Sequence, residues 1–315
     1  MKFSFLKWLF LAVVIVTLFC VNERYKVFAL TIPKGRDNVG KCLRVMTYNV
    51  NTTSSMKDLN GFKKGLIEEI ERHNPDVLCL QELVPVIFKQ VQTSMDSLFG
   101  YSDSMKIKKD PMRYALYSKF PIRGFTRYKS SVEIDTMGFD SKTKSEVDQI
   151  KNGMPVYSAE IEVGKDKWVR FFAVHLCSSA YSTARRSMDK DASWIDGLPL
   201  YYKNFKIGLK LRNWEADNLR LHLEALEAED TPVIIAGDFN DWSGSYCMNT
   251  IKDGKYKDAW WEGGFGLGIT YDEWHLKLRL DHILYSHHFQ LENVYVEKSK
   301  FSDHRPLIAD FILLP

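Results

Sequence analysis

The sequence predicts an α/β protein in which two mixed sheets pack face to face with helices on the outside. Three observations carry this expectation: many apolar runs have strand length, few helical segments intervene, and the runs fall into two similar halves. Residues 43–50 form the first expected strand. Residues 61–73 follow as an amphipathic helix with Phe62, Leu66, Ile67 and Ile70 on one face. Asn74-Pro75 stops that helix, and Val77, Leu78, Cys79 and Leu80 make a continuous apolar run, as in a strand buried on both faces. Residues 84–99 suggest a second helix, and 115–118, 158–163 and 169–176 further strands. A third helix over 211–229 ends at Asp230-Thr231-Pro232, and strands over 233–236, 281–285 and 307–313 complete the set. No internal repeat or linker-like tract interrupts 43–315, which reads as one domain behind a short connector over 31–42.

Composition narrows the class. The chain has 315 residues, 45% hydrophobic and 26% charged, ordinary for a globular protein, and its net charge of +3 is too small to mark a nucleic-acid binder by itself. Residues 1–30 stand apart. Lys2 and Lys7 precede an uninterrupted apolar stretch over 8–21, which has the length of a signal-peptide core and is short for a full span of roughly 20 residues. Phe3 to Leu6 are mostly apolar and Lys7 can snorkel, which lengthens the usable stretch. The leading expectation is an uncleaved single-helix membrane anchor with an extracytoplasmic catalytic domain. The alternatives are secretion after cleavage at Val27-Phe28-Ala29, or a buried helix. The five cysteines, Cys20, Cys42, Cys79, Cys177 and Cys247, show no metal-ligand spacing, and a disulfide through Cys42 or Cys247 stays open.

The chemistry sits at the ends of the apolar runs. Asn49 follows the first, Glu82 closes the second, His175 ends 169–174, Asp238 and Asn240 follow 233–236, and Asp281 opens 281–284. Asp303 and His304 precede the last. Carboxylate, amide and imidazole groups gathered from so many strand ends suit a hard cation and a phosphate ester. His175 shares a strand face with Phe171 and Ala173; Asp238 and Asn240 share one if the strand continues, with Phe239 turned into the core. Asp281 can reach His304 across neighbouring strands and fix its tautomer. With no HxxxH or Cys/His cluster, oxygen coordination is preferred to zinc.

The runs 45–50, 79–82, 173–176, 235–240, 279–284 and 302–306 resemble, in order, the motifs of the endonuclease/exonuclease/phosphatase superfamily, over roughly 43–315. The resemblance implies a four-layer α/β/β/α sandwich with the site at one end of the paired sheets. It implies Glu82 as principal Mg²⁺ (or Mn²⁺) ligand with Asn49 and Asp303 beside it, and Asp238 as the residue that orients or deprotonates water. Asn240 and His175 would then be phosphate ligands, and Asp281 and His304 the carboxylate–imidazole pair. The reaction implied is in-line attack of water on a phosphoester.

Substrate is the open part. Residues 177–210 hold Arg185, Arg186, Lys190, Lys203, Lys206 and Lys210 among Tyr181, Trp194, Tyr201, Tyr202 and Phe205, a long loop of the kind that shapes substrate sites. Residues 263–271, with Trp274 and His275 just after, look like a mobile loop over the site. Arg185, Arg186 and Trp274 are the candidate substrate contacts. Asn51 replaces the acidic residue of some abasic-site enzymes. A nuclease leads; a phosphatase or lipid phosphodiesterase is the alternative, and an inactive binding module a third reading. Beyond a nucleic-acid substrate and a membrane contact through residues 1–30, no protein partner is implied.

Overall fold

Val, Ile, Phe and Tyr dominate the apolar runs and suit a pleated, half-buried surface, so strands set the frame. The structure, a computed structural model, describes residues 13–23, 26–30, 42–52, 58–104, 114–178, 194–273 and 276–315. In chain order these form α1 (13–23), β1 (Ala29–Leu30), β2 (Leu43–Asn49), α2 (Leu59–His73), β3 (Val77–Gln81), α3 (Pro85–Leu98), β4 (Tyr101–Ser104), β5 (Ala115–Ser118) and β6 (Ile122–Arg127). Then come α4 (Ser141–Asn152), β7 (Val156–Gly164), β8 (Lys167–His175), α5 (Trp194–Ala228), β9 (Val233–Asp238), α6 (Tyr246–Lys252), β10 (Lys257–Asp258) and α7 (Ala259–Gly263). The chain closes with β11 (Phe265–Gly266), β12 (Tyr271–Glu273), β13 (Leu276–Leu278), β14 (Asp281–Tyr285), β15 (Phe289–Val296) and β16 (Leu307–Leu313).

Two six-stranded mixed sheets result, ordered β15-β16-β2-β3-β5-β4 and β10-β14-β9-β8-β7-β6. Between them lies a core in which Val45, Val77, Cys79 and Ala309 of one sheet meet Phe171, Ala173, Ile234, Ala236 and Ile283 of the other. The outer face of the first sheet packs Met46, Tyr48, Leu78 and Leu80 on Phe62, Leu66, Ile70, Val91 and Met95 of α2 and α3. The outer face of the second packs Phe172, Val174 and Ile235 on Ala216, Leu219 and Leu223 of α5 and Met248 of α6. The layers are therefore helix, sheet, sheet, helix, as expected.

Strand parity places the polar residues. Successive side chains alternate faces. Val45 lies between the sheets, so Asn49 does; Phe171 and Ala173 carry His175 there, Ile234 and Ala236 carry Asp238, and Ile283 carries Asp281. Each of these four residues is thus the terminal inward position of its strand, and the registers Asp238↔His175 and Asp238↔Asp281 bring three of them side by side. Gly237 makes this approach possible. Its φ is 154°, and a Cβ there would lie 1.8 Å from the Val174 carbonyl oxygen. Gly237→Ala should therefore cost on the order of 3 kcal/mol or more, read as a lowered urea midpoint; an unchanged midpoint would refute this account of the β8–β9 contact.

Several expectations need correcting. Among the described residues no helix is long and apolar enough to cross a membrane, which overturns the single-helix anchor. The Asn22 amide brackets Phe28, donating to its carbonyl oxygen and accepting from its N–H at 2.8 and 2.7 Å. Phe28 then packs edge-on against Phe265, and Ala29, the small residue offered for cleavage, is buried and pairs with Gly266.

That pairing also alters the picture of 263–271. This segment is tied to β1, to the Trp260 indole through the Gly266 carbonyl oxygen, and to the start of β14 through Thr270. The third helix begins at Trp194, so much of the expected loop over 177–210 is helical. Lys203 and Lys210 pair with Asp140 and Asp135 at 4.0 and 3.2 Å on the exposed surface. None of the five cysteines is in a disulfide.

Candidate active site

Where the two sheets run out of apolar inner residues, the interior turns polar. Thr47 and Gln81 come first, hydrogen-bonded side chain to side chain at 3.1 Å. Beyond them the Asn49 amide donates to Glu82 Oε1 and to Asp238 Oδ2, both at 2.9 Å. Glu82 follows the last residue of β3 with φ 57°, a left-handed conformation that costs a non-glycine residue of order 1–3 kcal/mol. The chain holds it because the Glu82 carbonyl oxygen accepts from Thr52 Oγ1 at 2.6 Å, and that hydroxyl accepts from Val84 N. The result aims the carboxylate back over the strand ends while leaving 27% of its side chain exposed.

The imidazoles close the ring. His175 Nε2 lies 3.6 Å from Glu82 Oε1 and 3.7 Å from Asp238 Oδ2. His304 Nδ1 meets Asp281 Oδ2 at 2.7 Å, which directs Nε2 to within 3.8 Å of Asp238 Oδ2. Contacts of 2.9, 2.9 and 3.8 Å thus lead from Glu82 through Asn49 and Asp238 to His304. Burial alone would lower the His304 pKa, but the carboxylates of Asp281 and Asp238 outweigh it and push the imidazole up to about 10.

Asp303 is fixed by Asn51 Nδ2 at 2.8 Å, while the neighbouring Ser302 Oγ donates to the Asn49 carbonyl oxygen at 2.8 Å. Asn240 caps its own turn: its backbone N–H donates to Asp238 Oδ1, and its side chain donates to the Leu176 carbonyl oxygen at 2.9 Å. At φ 51° the strand has ended, so Asn240 does not continue the Asp238 face, whereas Phe239 is fully buried in the outer core as expected.

The structure therefore brings together Asn49, Glu82, His175, Asp238, Asp281 and His304, with Asp303 joined through Asn51 and Asn240 through Asp238. Arg185, Arg186 and Trp274 lie outside the described residues. Sequence reasoning noted Asn51 but not its contact with Asp303, and missed Thr52, Thr270, Ser302 and Tyr114, whose hydroxyl donates to the His175 carbonyl oxygen at 3.1 Å. Asn51, Thr52 and Ser302 neighbour named residues in the chain, a usable signal; Thr270, which accepts from both Leu280 and Asp281 N–H, lies in the 263–271 segment that the sequence places over the site.

A sequence model of the Endonuclease/Exonuclease/phosphatase family matches residues 46–304. The chain belongs to this family. Endonuclease/exonuclease/phosphatase proteins hydrolyse phosphoester bonds and generally depend on a divalent metal. No curated protein matches. Among solved structures, truncated Caenorhabditis elegans TDP2 superposes with a TM-score of 0.60 at 18% identity, covering 87% of this chain and 98% of that one. The human Nocturnin catalytic domain, with bound sulfate anion, gives 0.57 at 18%, covering 87% and 94%. ANGEL2, a 2',3'-cyclic phosphatase in complex with adenosine-2',3'-vanadate, gives 0.59 at 15%, covering 86% and 96%. At these identities the likeness shows the fold.

The donor set of this endonuclease/exonuclease/phosphatase chain fits a hard divalent cation. Carboxylate oxygens of Glu82, Asp238, Asp281 and Asp303 outnumber the imidazoles, and Asp281 Oδ1 is buried with no hydrogen-bond partner among the described residues. Asp238, Asp281 and His304 each bring a ligand atom within 4.8 Å of the others. His304 and Asp281 already engage one another, however, which leaves the more exposed Glu82 side of the ring for the cation.

Behind the ring lies a second polar layer. Arg212 of α5 donates to Asp241 Oδ2 at 3.2 Å and to the Cys177 carbonyl oxygen at 2.9 Å. Glu215 accepts the Cys177 N–H at 2.8 Å, and burial pushes its carboxyl up to about 8. Asp241 follows Asn240 and Cys177 is two beyond His175, so α5 clamps both strand ends. Burial works against the Asp258 charge, but the Arg279 guanidinium at 3.1 Å, His282 and the Ser243 hydroxyl together outweigh it and hold that carboxyl well below the usual range. His282, next to Asp281, bridges Asp258 and the Asp241 carbonyl oxygen.

Proposed function

We propose that this chain is a divalent-metal-dependent nuclease that hydrolyses phosphodiester bonds by in-line attack of water. The observation that carries it is the convergence of Glu82, His175, Asp238 and His304 on one partly open cluster. In this reading Glu82 and Asp303 hold Mg²⁺ or Mn²⁺, with Asn49 beside them. The bound cation supplies neutralisation of charge on the phosphoryl oxygens.

Asp238 orients the attacking water and accepts its proton as the new P–O bond forms and the ester P–O bond breaks, the leaving oxygen taking up a proton from solvent to depart as an alcohol. His175, within 4 Å of both Glu82 and Asp238, and the second amide N–H of Asn240 bind phosphoryl oxygens. With Nδ1 committed to Asp281, His304 presents Nε2 toward Asp238 and carries a proton there. Every one of these positions keeps a reactive side chain, which argues against an inactive binding module.

Two features support nucleic acid over other phosphoesters. ANGEL2, a cyclic phosphatase seen with an adenosine vanadate, shares the fold. Two residues beyond Asn240, Trp242 exposes 40% of its surface, and nearby Tyr246 59%, the type of aromatic platform on which bases stack.

The test is turnover of plasmid DNA, single-stranded RNA, inositol phosphates and sphingomyelin by the purified chain in Mg²⁺, with and without EDTA. Cleavage of DNA or RNA that EDTA abolishes is expected; selective turnover of the inositol phosphates or sphingomyelin would overturn the nuclease assignment. Trp242→Ala should raise KM for a polynucleotide on the order of 10-fold and leave bis-p-nitrophenyl phosphate hydrolysis unchanged. Equal losses on both substrates would remove the stacking role.

A further inference from the structure

The geometry points to a second metal site, for a transition-metal dication such as Zn²⁺, formed by Asp230, His287 and His288 at the end of the sheets opposite the cleft. It is independent of the hydrolytic site. Asp230 lies just before β9 begins, and His287 and His288 form the turn after β14 ends. The cleft residues occupy the other ends of the same strands, at Asp238 and Asp281, a strand length of about 20 Å away.

Asp230 Oδ1 lies 3.5 Å from His287 Nε2 and 3.3 Å from His288 Nε2, and the three ligand atoms all lie within 4.8 Å of one another. Those separations exceed a good N–H···O bond. They match the edge of a tetrahedron with metal–ligand bonds of about 2.0–2.1 Å, which is about 3.3 Å. Two imidazoles and one carboxylate suit Zn²⁺, Ni²⁺ or Cu²⁺ and not Mg²⁺, which takes oxygen ligands.

The scaffold beneath is fixed. Ser286 N donates to the Val233 carbonyl oxygen and Val233 N donates to Ser286 Oγ, both at 3.0 Å, so the two turns are hydrogen-bonded to each other at their bases. The His288 carbonyl oxygen accepts from Leu314 N at 2.8 Å. Ser286 Oγ also lies 3.0 Å from His288 Nδ1. Having accepted from Val233, that hydroxyl keeps a lone pair able to accept Nδ1–H, the tautomer that frees Nε2 for a metal and the arrangement typical behind ligating histidines. The His287 and His288 rings lie 4.0 Å apart, centroid to centroid, and both Nε2 atoms lie within 3.5 Å of Asp230 Oδ1. The side chains of His287 and Asp230 are 72% and 77% exposed, which leaves the site open to an ion and to completing waters. A cation there would link the turn before β9 to the turn after β14.

The full chain titrated with ZnCl2 against a chromophoric chelator should bind one equivalent more than the His287→Ala/His288→Ala double variant, with Mg²⁺-dependent hydrolysis the same in both. Asp230→Asn, an exposed change that leaves the turn's backbone intact, should weaken that extra equivalent on the order of 10-fold. Equal stoichiometry and affinity in all three proteins would overturn the site. Independently of any variant, crystals grown with Zn²⁺ should show an anomalous peak about 2.0–2.2 Å from the three ligand atoms. A peak confined to the cleft between Glu82 and His304 would sink the proposal.

Discussion

Glu82→Ala is expected to reduce Mg²⁺-dependent phosphodiester hydrolysis by about 10³-fold, and His304→Ala by about 10²–10³-fold, the scale of losing one preorganised charge-stabilising group. The two losses should differ in kind. Glu82 is the partly exposed carboxylate at the mouth of the ring, so its loss should be partly offset by raising Mg²⁺. His304 is buried against Asp281 at 2.7 Å and opposes Asp238 at 3.8 Å, so added metal should not rescue its removal. Steady-state rates across a Mg²⁺ series, with folding checked by circular dichroism, make the comparison. Near-normal turnover by either variant would refute the assigned site.

Arg212→Met should destabilise the fold by about 3–5 kcal/mol, the cost of stripping one partner from a buried charge pair. Arg212 and Asp241 are both essentially inaccessible, and Glu215 lies fully buried one helical turn away on α5. Methionine fills much of the volume but leaves Asp241 and the Cys177 carbonyl oxygen without their donor. Because those two groups flank Asn240 and His175, the variant that remains folded at low temperature should also lose kcat. Arg212→Lys keeps the charge and should recover part of the stability. Urea unfolding measures the first effect, and a loss under about 1 kcal/mol would show that the clamp contributes little.

Much of this architecture can be read from residues alone. The apolar runs at 77–80 and 233–236 are continuous because both faces of these strands are covered, and that continuity is visible without coordinates. Helix α2 was legible through Phe62, Leu66 and Ile70 on one face, with Asn74 in the left-handed cap that ends it. The start of α5 was not. Pro199 lies inside it and its first turns mix charge with aromatics, so its periodicity is weak there. The N-terminal stretch misled for a related reason. Hydropathy reports composition, and Asn22, Lys26 and Phe28 show in coordinates a turn that binds the fold's edge through β1.

Sequence by itself determined the residue types at the strand ends and, through two-residue alternation, that His175 shares a face with Phe171 and Ala173; which face of each strand turns inward came from the structure. Tertiary structure alone decided that these ends meet. Asn49 and Asp238 are 189 residues apart in the chain and 2.9 Å apart in space. That separation is closed by burial of the apolar faces between two sheets, a force without sequence direction, so strand registry and not local pattern brings the charges together.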